Sequence, residues 1–109
     1  MAIFGAYAGA IKATYLELTE ASITSGANTT VDIAAGIPGA ANTRAGATYV
    51  VLHITGTGPF RVNIGAAADA TSFLVGGSDE FICTIATDRP IGLWGQGGTP
   101  TVTIKRFII

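Results

Sequence analysis

Cys83 and His53 are the only cysteine and the only histidine of the chain. They are therefore the one pair that could act as nucleophile and base, with Asp32, Asp69, Asp79 or Asp88 available to orient the imidazole. Such a pair needs spatial adjacency and an accessible thiol in electropositive surroundings. Cys83 instead falls in an alternating apolar stretch, where a thiol serves as inert core filling, and His53 falls in another. A single cysteine excludes an intramolecular disulfide and zinc sites built on several thiolates, and a single histidine excludes multi-histidine metal sites.

The remaining polar motifs carry no stronger chemistry. Asp79-Glu80 are adjacent, and neighbours on a strand point to opposite faces, so they do not form a glycosidase-type carboxylate pair. The acidic residues also lack the one-three-five spacing of a calcium loop. Gly56-Thr57-Gly58 has no Lys-Ser/Thr sequel and joins two strands instead of opening a helix, so it is not a phosphate loop. Asn28-Thr29-Thr30 is a formal glycosylation sequon with meaning only in a secretory context. Lys105-Arg106 is a small basic spot that fits an edge-strand solubility device. The expectation is a chain with no catalytic residues, no cofactor and no metal.

Composition narrows the partners. Of 109 residues, 49% are hydrophobic and 12% charged, about half the usual charged share. Six basic against seven acidic residues leave a net charge of −1, too weak a field to draw phosphate backbones or anionic lipid, so neither nucleic acid nor membrane is expected as a partner. A folded monomer of this mass exposes on the order of 5,600 Å², roughly one charge per 430 Å². So sparse a surface fits coverage by further copies of the chain or by a partner; the alternative is a neutral monomer kept soluble by Thr-rich strand faces and Gly loops. The apolar opening, residues 1–11, resembles a signal h-region, but no basic residue precedes it, so a secretory signal is not expected, and it is too short and Gly-rich for a bilayer span.

The elements that must position these residues are strands. Residues 1–10 read as an extended arm and 11–109 as one domain. Alternation begins at Ile11, although residues 11–21 also contain good helix formers; Thr29 to Ile33 is a short β-branched run, and residues 34–46 read as a long loop. Residues 48–55 place Val50, Leu52 and Ile54 on the surer core face and Tyr49, Val51, His53 and Thr55 on the other. Residues 60–64 continue after a Gly-Pro turn, so the two strands are expected to form a hairpin. Short strands follow at 71–75, 80–87, 90–94 and 101–109, the last with Val102, Ile104 and Ile108 facing one way. About eight short antiparallel strands with turn signals and no convincing helix describe an all-β, jelly-roll-like β-sandwich. Trp94-Gly95-Gln96-Gly97-Gly98-Thr99 resembles the joining segment of antibody variable domains, but the cysteine pair of such domains is missing, and the likeness reads as a shared Gly-bulge entry into a terminal strand.

From Tyr49-Val50-Val51-Leu52-His53-Ile54, through Phe60-Arg61-Val62-Asn63-Ile64-Gly65 and Ile85-Ala86-Thr87-Asp88-Arg89-Pro90-Ile91-Gly92, to Gly98-Thr99-Pro100-Thr101-Val102-Thr103-Ile104, somewhat over half the chain resembles small virion proteins of tailed bacteriophages. Capsid decoration (cement) and head-fibre-like proteins are the nearest in style of composition and strand order. The resemblance implies a structural protein, without enzymatic residues, made in the host cytoplasm and seated on the capsid exterior. It would clamp neighbouring copies of the major capsid protein, as a homotrimer. The apolar arm suits a groove on a neighbouring subunit or the end of its own sandwich, and Phe4, Tyr7 and Trp94 are the candidate anchors of the partner interface. An alternative from another class is a carbohydrate- or receptor-binding sandwich of a fibre or tail, with Trp94 and Tyr49 stacking on sugar rings.

Overall fold

The computed structural model describes residues 14–20, 22–37, 40 and 43–108; the arm expected over 1–10, with Phe4 and Tyr7, lies outside them. The strands are β1 (Thr14–Glu20), β2 (Asn28–Val31), β3 (Tyr49–Gly56), β4 (Phe60–Ile64), β5 (Phe73–Val75), β6 (Glu80–Ala86), β7 (Ile91–Gly95) and β8 (Val102–Ile108), with one 3-10 turn at Arg44–Gly46. Their period-2 alternation gives each strand one apolar face, and two sheets bury those faces against each other. Sheet A runs β1-β8-β3-β6 and sheet B runs β2-β7-β4-β5.

The pairings are nested. β1 pairs with β8, β2 with β7, β3 with β6 and β4 with β5, all antiparallel. The chain is thus one long folded-back ribbon rolled onto itself, and the contacts β3·β8 and β4·β7 close each sheet side by side. That is the jelly-roll connectivity. Val50, Leu52, Ile54, Val102 and Ile104 of sheet A meet Val31, Phe60, Val62, Ile91 and Leu93 of sheet B, and Ile23, Ile33 and Ile37 plug the ends from the connecting segments. The expected core face of residues 48–55 is this one.

Three expectations are corrected. β3 and β4 do not form a hairpin, because both ladder sides of β3 are occupied, by β6 and β8, and no place beside it remains. Residues 57–59 instead cross between sheets: the Thr57 amide donates to the Thr101 carbonyl (3.0 Å), while the Gln96 amide donates to the Pro59 carbonyl (3.3 Å). The glycine-rich stretch after Trp94 is likewise a corner from β7 in sheet B to β8 in sheet A, not a bulge within one strand pair. Lys105 and Arg106 are not on an edge strand either, since β8 runs between β1 and β3. Arg106 continues the inward series Val102, Ile104, Ile108 and is 2% exposed.

Candidate functional site

Register decides which side chains can meet. Across β3 and β6, Leu52 faces Cys83 and His53 faces Ile82. Directly opposite residues share a face, so Cys83 joins fully buried Leu52 on the core side while His53 stands on the outer side of the same sheet. The two cannot act on one substrate atom. Burial pushes the Cys83 thiol pKa up, away from the reactive thiolate. His53 Nε2 lies 3.2 Å from Glu80 Oε2, a diagonal neighbour on β6, but without the alignment of a hydrogen bond. Among the described residues no group of three His, Cys, Asp or Glu side chains could hold a metal ion.

Arg106 occupies the core end of sheet A, and its role is to satisfy backbone. Its Nη1 donates to the carbonyls of Ile33 (2.9 Å) and Ala35, at the start of the β2–β3 connection. Desolvation lowers the guanidinium pKa from its ordinary value and the Asp32 carboxylate opposes that shift, so the group stays charged. Asp32 in turn accepts from the Ala34 amide (2.9 Å), which shapes the same turn. A buried guanidinium tied to two carbonyls is a brace for this loop, with no face turned to a ligand.

Trp94 is half-buried on the outer face of sheet B, opposite Arg61 on β4 and Asn28 on β2. Arg61 is committed to its own chain: Nε donates to Gln96 Oε1 (2.8 Å) and Nη1 to the Ser72 carbonyl (2.7 Å). Tyr49 is 65% exposed and stands on the outer side of sheet A, in the row opposite Ala86. Trp94 and Tyr49 therefore lie on opposite outer faces, so any sugar rings stacked on them would belong to separate sites.

The large apolar side chains that the described fold exposes besides Tyr49 are Phe73 (64%) and Leu74 (47%), both on β5. β5 and β2 are the edges of sheet B, and β6 and β1 those of sheet A; β5 and β6 lie at the same side of the sandwich. The Phe73 ring bridges the open seam between them, 5.7 Å from the Phe81 ring and tilted by 57°. Edge strands usually carry a charge, a proline or a bulge against unwanted pairing. β1 and β6 contain glutamates and β2 is Asn-Thr-Thr-Val, whereas β5 is Phe-Leu-Val, without a polar side chain. Sequence reasoning places a short strand there and passes over its exposure, because edge position is a property of the topology and three residues give too little alternation to show it. No family model matches the chain, and no curated protein matches it.

Proposed function

We propose that this chain is a structural virion protein that decorates a tailed-bacteriophage capsid and stabilises it by bridging neighbouring copies of the major capsid protein, assembling as a homotrimer on the capsid exterior. The observation that carries the reading is the β5 edge. Its outer backbone groups meet no partner strand among the described residues, and Phe73 and Leu74 flank them in the open. A strand of a neighbour added there would satisfy the backbone and bury both side chains, with the aromatic ring as anchor. Jelly rolls occur in viral capsid domains, which supports the reading by analogy of fold. The sparse charge agrees with a surface built to be covered. Repetition around a closed shell turns individually weak contacts into resistance to opening.

The test compares phage heads carrying the chain with heads stripped of it, together with a Phe73→Ser/Leu74→Ser variant. Because Phe73 also packs on Phe81, circular dichroism of the double variant and a Leu74→Ser single variant, which leaves that ring contact in place, control for the fold. The double variant's binding to stripped heads falls by about tenfold or more, and its protection of heads against heat falls with it. A wild-type chain that sediments as a strict monomer at micromolar concentration and neither binds nor protects heads overturns the reading. So does a double variant that binds as well as the wild type.

A further inference from the structure

Away from β5, the start of β3, the end of β4, the β6–β7 turn and the 3-10 turn enclose an open depression of about 570 Å³. That volume is in the range of small-ligand sites. Arg44, Tyr49, Ile64, Thr84, Asp88 and Arg89 line it. The other described basic residues are placed differently: Arg61 is bonded to Gln96 and Ser72, Arg106 is inside the core, and Lys105 is on the outer face of sheet A. Arg44 and Arg89 have no side-chain hydrogen bond or ion pair among the described residues, so two arginines with unused donors line one concavity.

Arg89 is seated there by the backbone. Gly65, at φ +79°, lies under its guanidinium, and a Cβ at that position would stand 2.9 Å from Nη2. The left-handed conformation favours glycine there, and a Cβ would push the guanidinium aside. The Gly65 amide donates to the Pro90 carbonyl (2.7 Å) and the Arg89 amide to the Ala86 carbonyl (3.2 Å), which ties the turn bearing Arg89 to the end of β4.

The geometry points to a binding site for an acidic saccharide, a uronic acid unit of a polysaccharide. Paired guanidinium forks recognise a planar carboxylate by bidentate, charge-assisted hydrogen bonds. The exposed Tyr49 ring offers a flat apolar face for the C–H side of a pyranose. Asp88 and the Thr84 hydroxyl supply acceptors for ring hydroxyls, and with one carboxylate against two arginines the site keeps a net positive charge. An inorganic anion uses only the arginines; the tyrosine and the hydroxyl-accepting groups single out a sugar. The depression shares no lining residue with the β5 edge, so either site can fail without the other.

Calorimetry on the full chain tests this with trigalacturonate, its fully methyl-esterified form, hexaglutamate and inorganic phosphate. Trigalacturonate binds, and the ester, which keeps the rings and loses the charges, binds about tenfold weaker or less. Arg44→Ala and Arg89→Ala each weaken trigalacturonate by about tenfold and Tyr49→Ala by about threefold. Amide resonances of residues 44–49 and 84–89 shift on titration. Should Arg89→Ala loosen its turn, Arg44→Ala on the separate 3-10 turn carries the test. Absent binding of trigalacturonate, equal affinity for the ester, phosphate binding as tightly as the sugar, or variants that bind like the wild type overturn the assignment. Tighter binding of hexaglutamate overturns it in favour of an acidic polypeptide.

Discussion

The two sheets share a core but are finished differently. Sheet B is covered outside by its own chain: residues 66–68 cross β7 at Gly92, where an added Cβ would clash with the Ala68 nitrogen and the Ala66 carbonyl. Asn63 Nδ2 donates to the Ala67 carbonyl (3.0 Å), the Ala68 amide donates to Asn28 Oδ1 (2.8 Å), and Arg61 holds the Ser72 carbonyl. Sheet A has no such cover among the described residues. Its outer face shows a threonine row, Thr19, Thr103 and Thr55, and below it Glu17, Lys105 and His53. Inside, the order reverses: sheet A holds the buried Arg106, whereas the inner face of sheet B is largely apolar. A chain with few charges completes one face with hydroxyls and the other with backbone, and the apolar groups left in the open are at an edge and a rim, Phe73, Leu74 and Tyr49.

The sharpest way to break this comparison is at adjacent positions with opposite orientation. Arg106→Ala removes the donor to two carbonyls and leaves a cavity in the core end of sheet A. We expect a loss of about 3 kcal/mol in urea unfolding, since unsatisfied buried groups and a removed buried charge each cost on that scale. Lys105→Ala, one residue away on the outer face, is expected to change stability by about 0.5 kcal/mol or less. Equal costs would mean that the guanidinium braces nothing.

This pair also shows what the sequence discloses. The inward series Val102, Ile104 and Ile108 already points position 106 into the core, yet an arginine beside a lysine reads as a solvated spot. What makes its burial tolerable is a loop 73 residues earlier in the chain, which alternation alone does not bring near. Strands β3, β4 and β8 are legible because their alternation is strict; the β3–β4 hairpin is misread because sequence shows adjacency along the chain and not which ladder sides are already taken. The sites follow the same rule. His53 and Cys83 are separated by side-chain parity, which is legible, whereas Arg44, Tyr49 and Arg89 share a depression only because the ends of β3, β4 and β6 meet.

An intermediate effect is expected where the cover meets sheet B. Gly92→Ala must displace backbone of residues 66–68, which cannot swing away as a flexible side chain would. Overpacking of this kind costs about 2 kcal/mol. It should also raise hydrogen exchange at the Ala68 amide, whose acceptor is Asn28 Oδ1. The corresponding enlargement on the uncovered sheet, exposed Thr84→Ile, is expected to stay within about 0.5 kcal/mol. If Gly92→Ala is equally silent, the loop is not seated on sheet B and the contrast between the two faces fails.

The smallest effect concerns how the cover is kept folded. Asp69 Oδ1 accepts from the Thr71 amide (2.8 Å), the Thr71 hydroxyl (2.6 Å) and the Ser72 hydroxyl (3.4 Å). The Thr71 side-chain and backbone hydrogen bonds, more than those of Ser72, hold its pKa below the ordinary carboxylate value of 3.8. A carboxylate with a lowered folded-state pKa binds fewer protons folded than unfolded in the window between the two values, so stability rises with pH there. The contribution is present above the ordinary value and is lost as pH falls through the lowered one. Solvent exposure keeps it small. Unfolding followed from pH 5 to pH 2.5 should therefore be less pH-dependent in Asp69→Asn than in the wild type, with the difference confined to acid. Protection of the Ala68 amide, with the intrinsic pH dependence of exchange divided out, should fall in the same window, while that of the threonine row on sheet A stays unchanged. A response shared by both sheets would mean that Asp69 acts on the whole sandwich and not on the cover of one face.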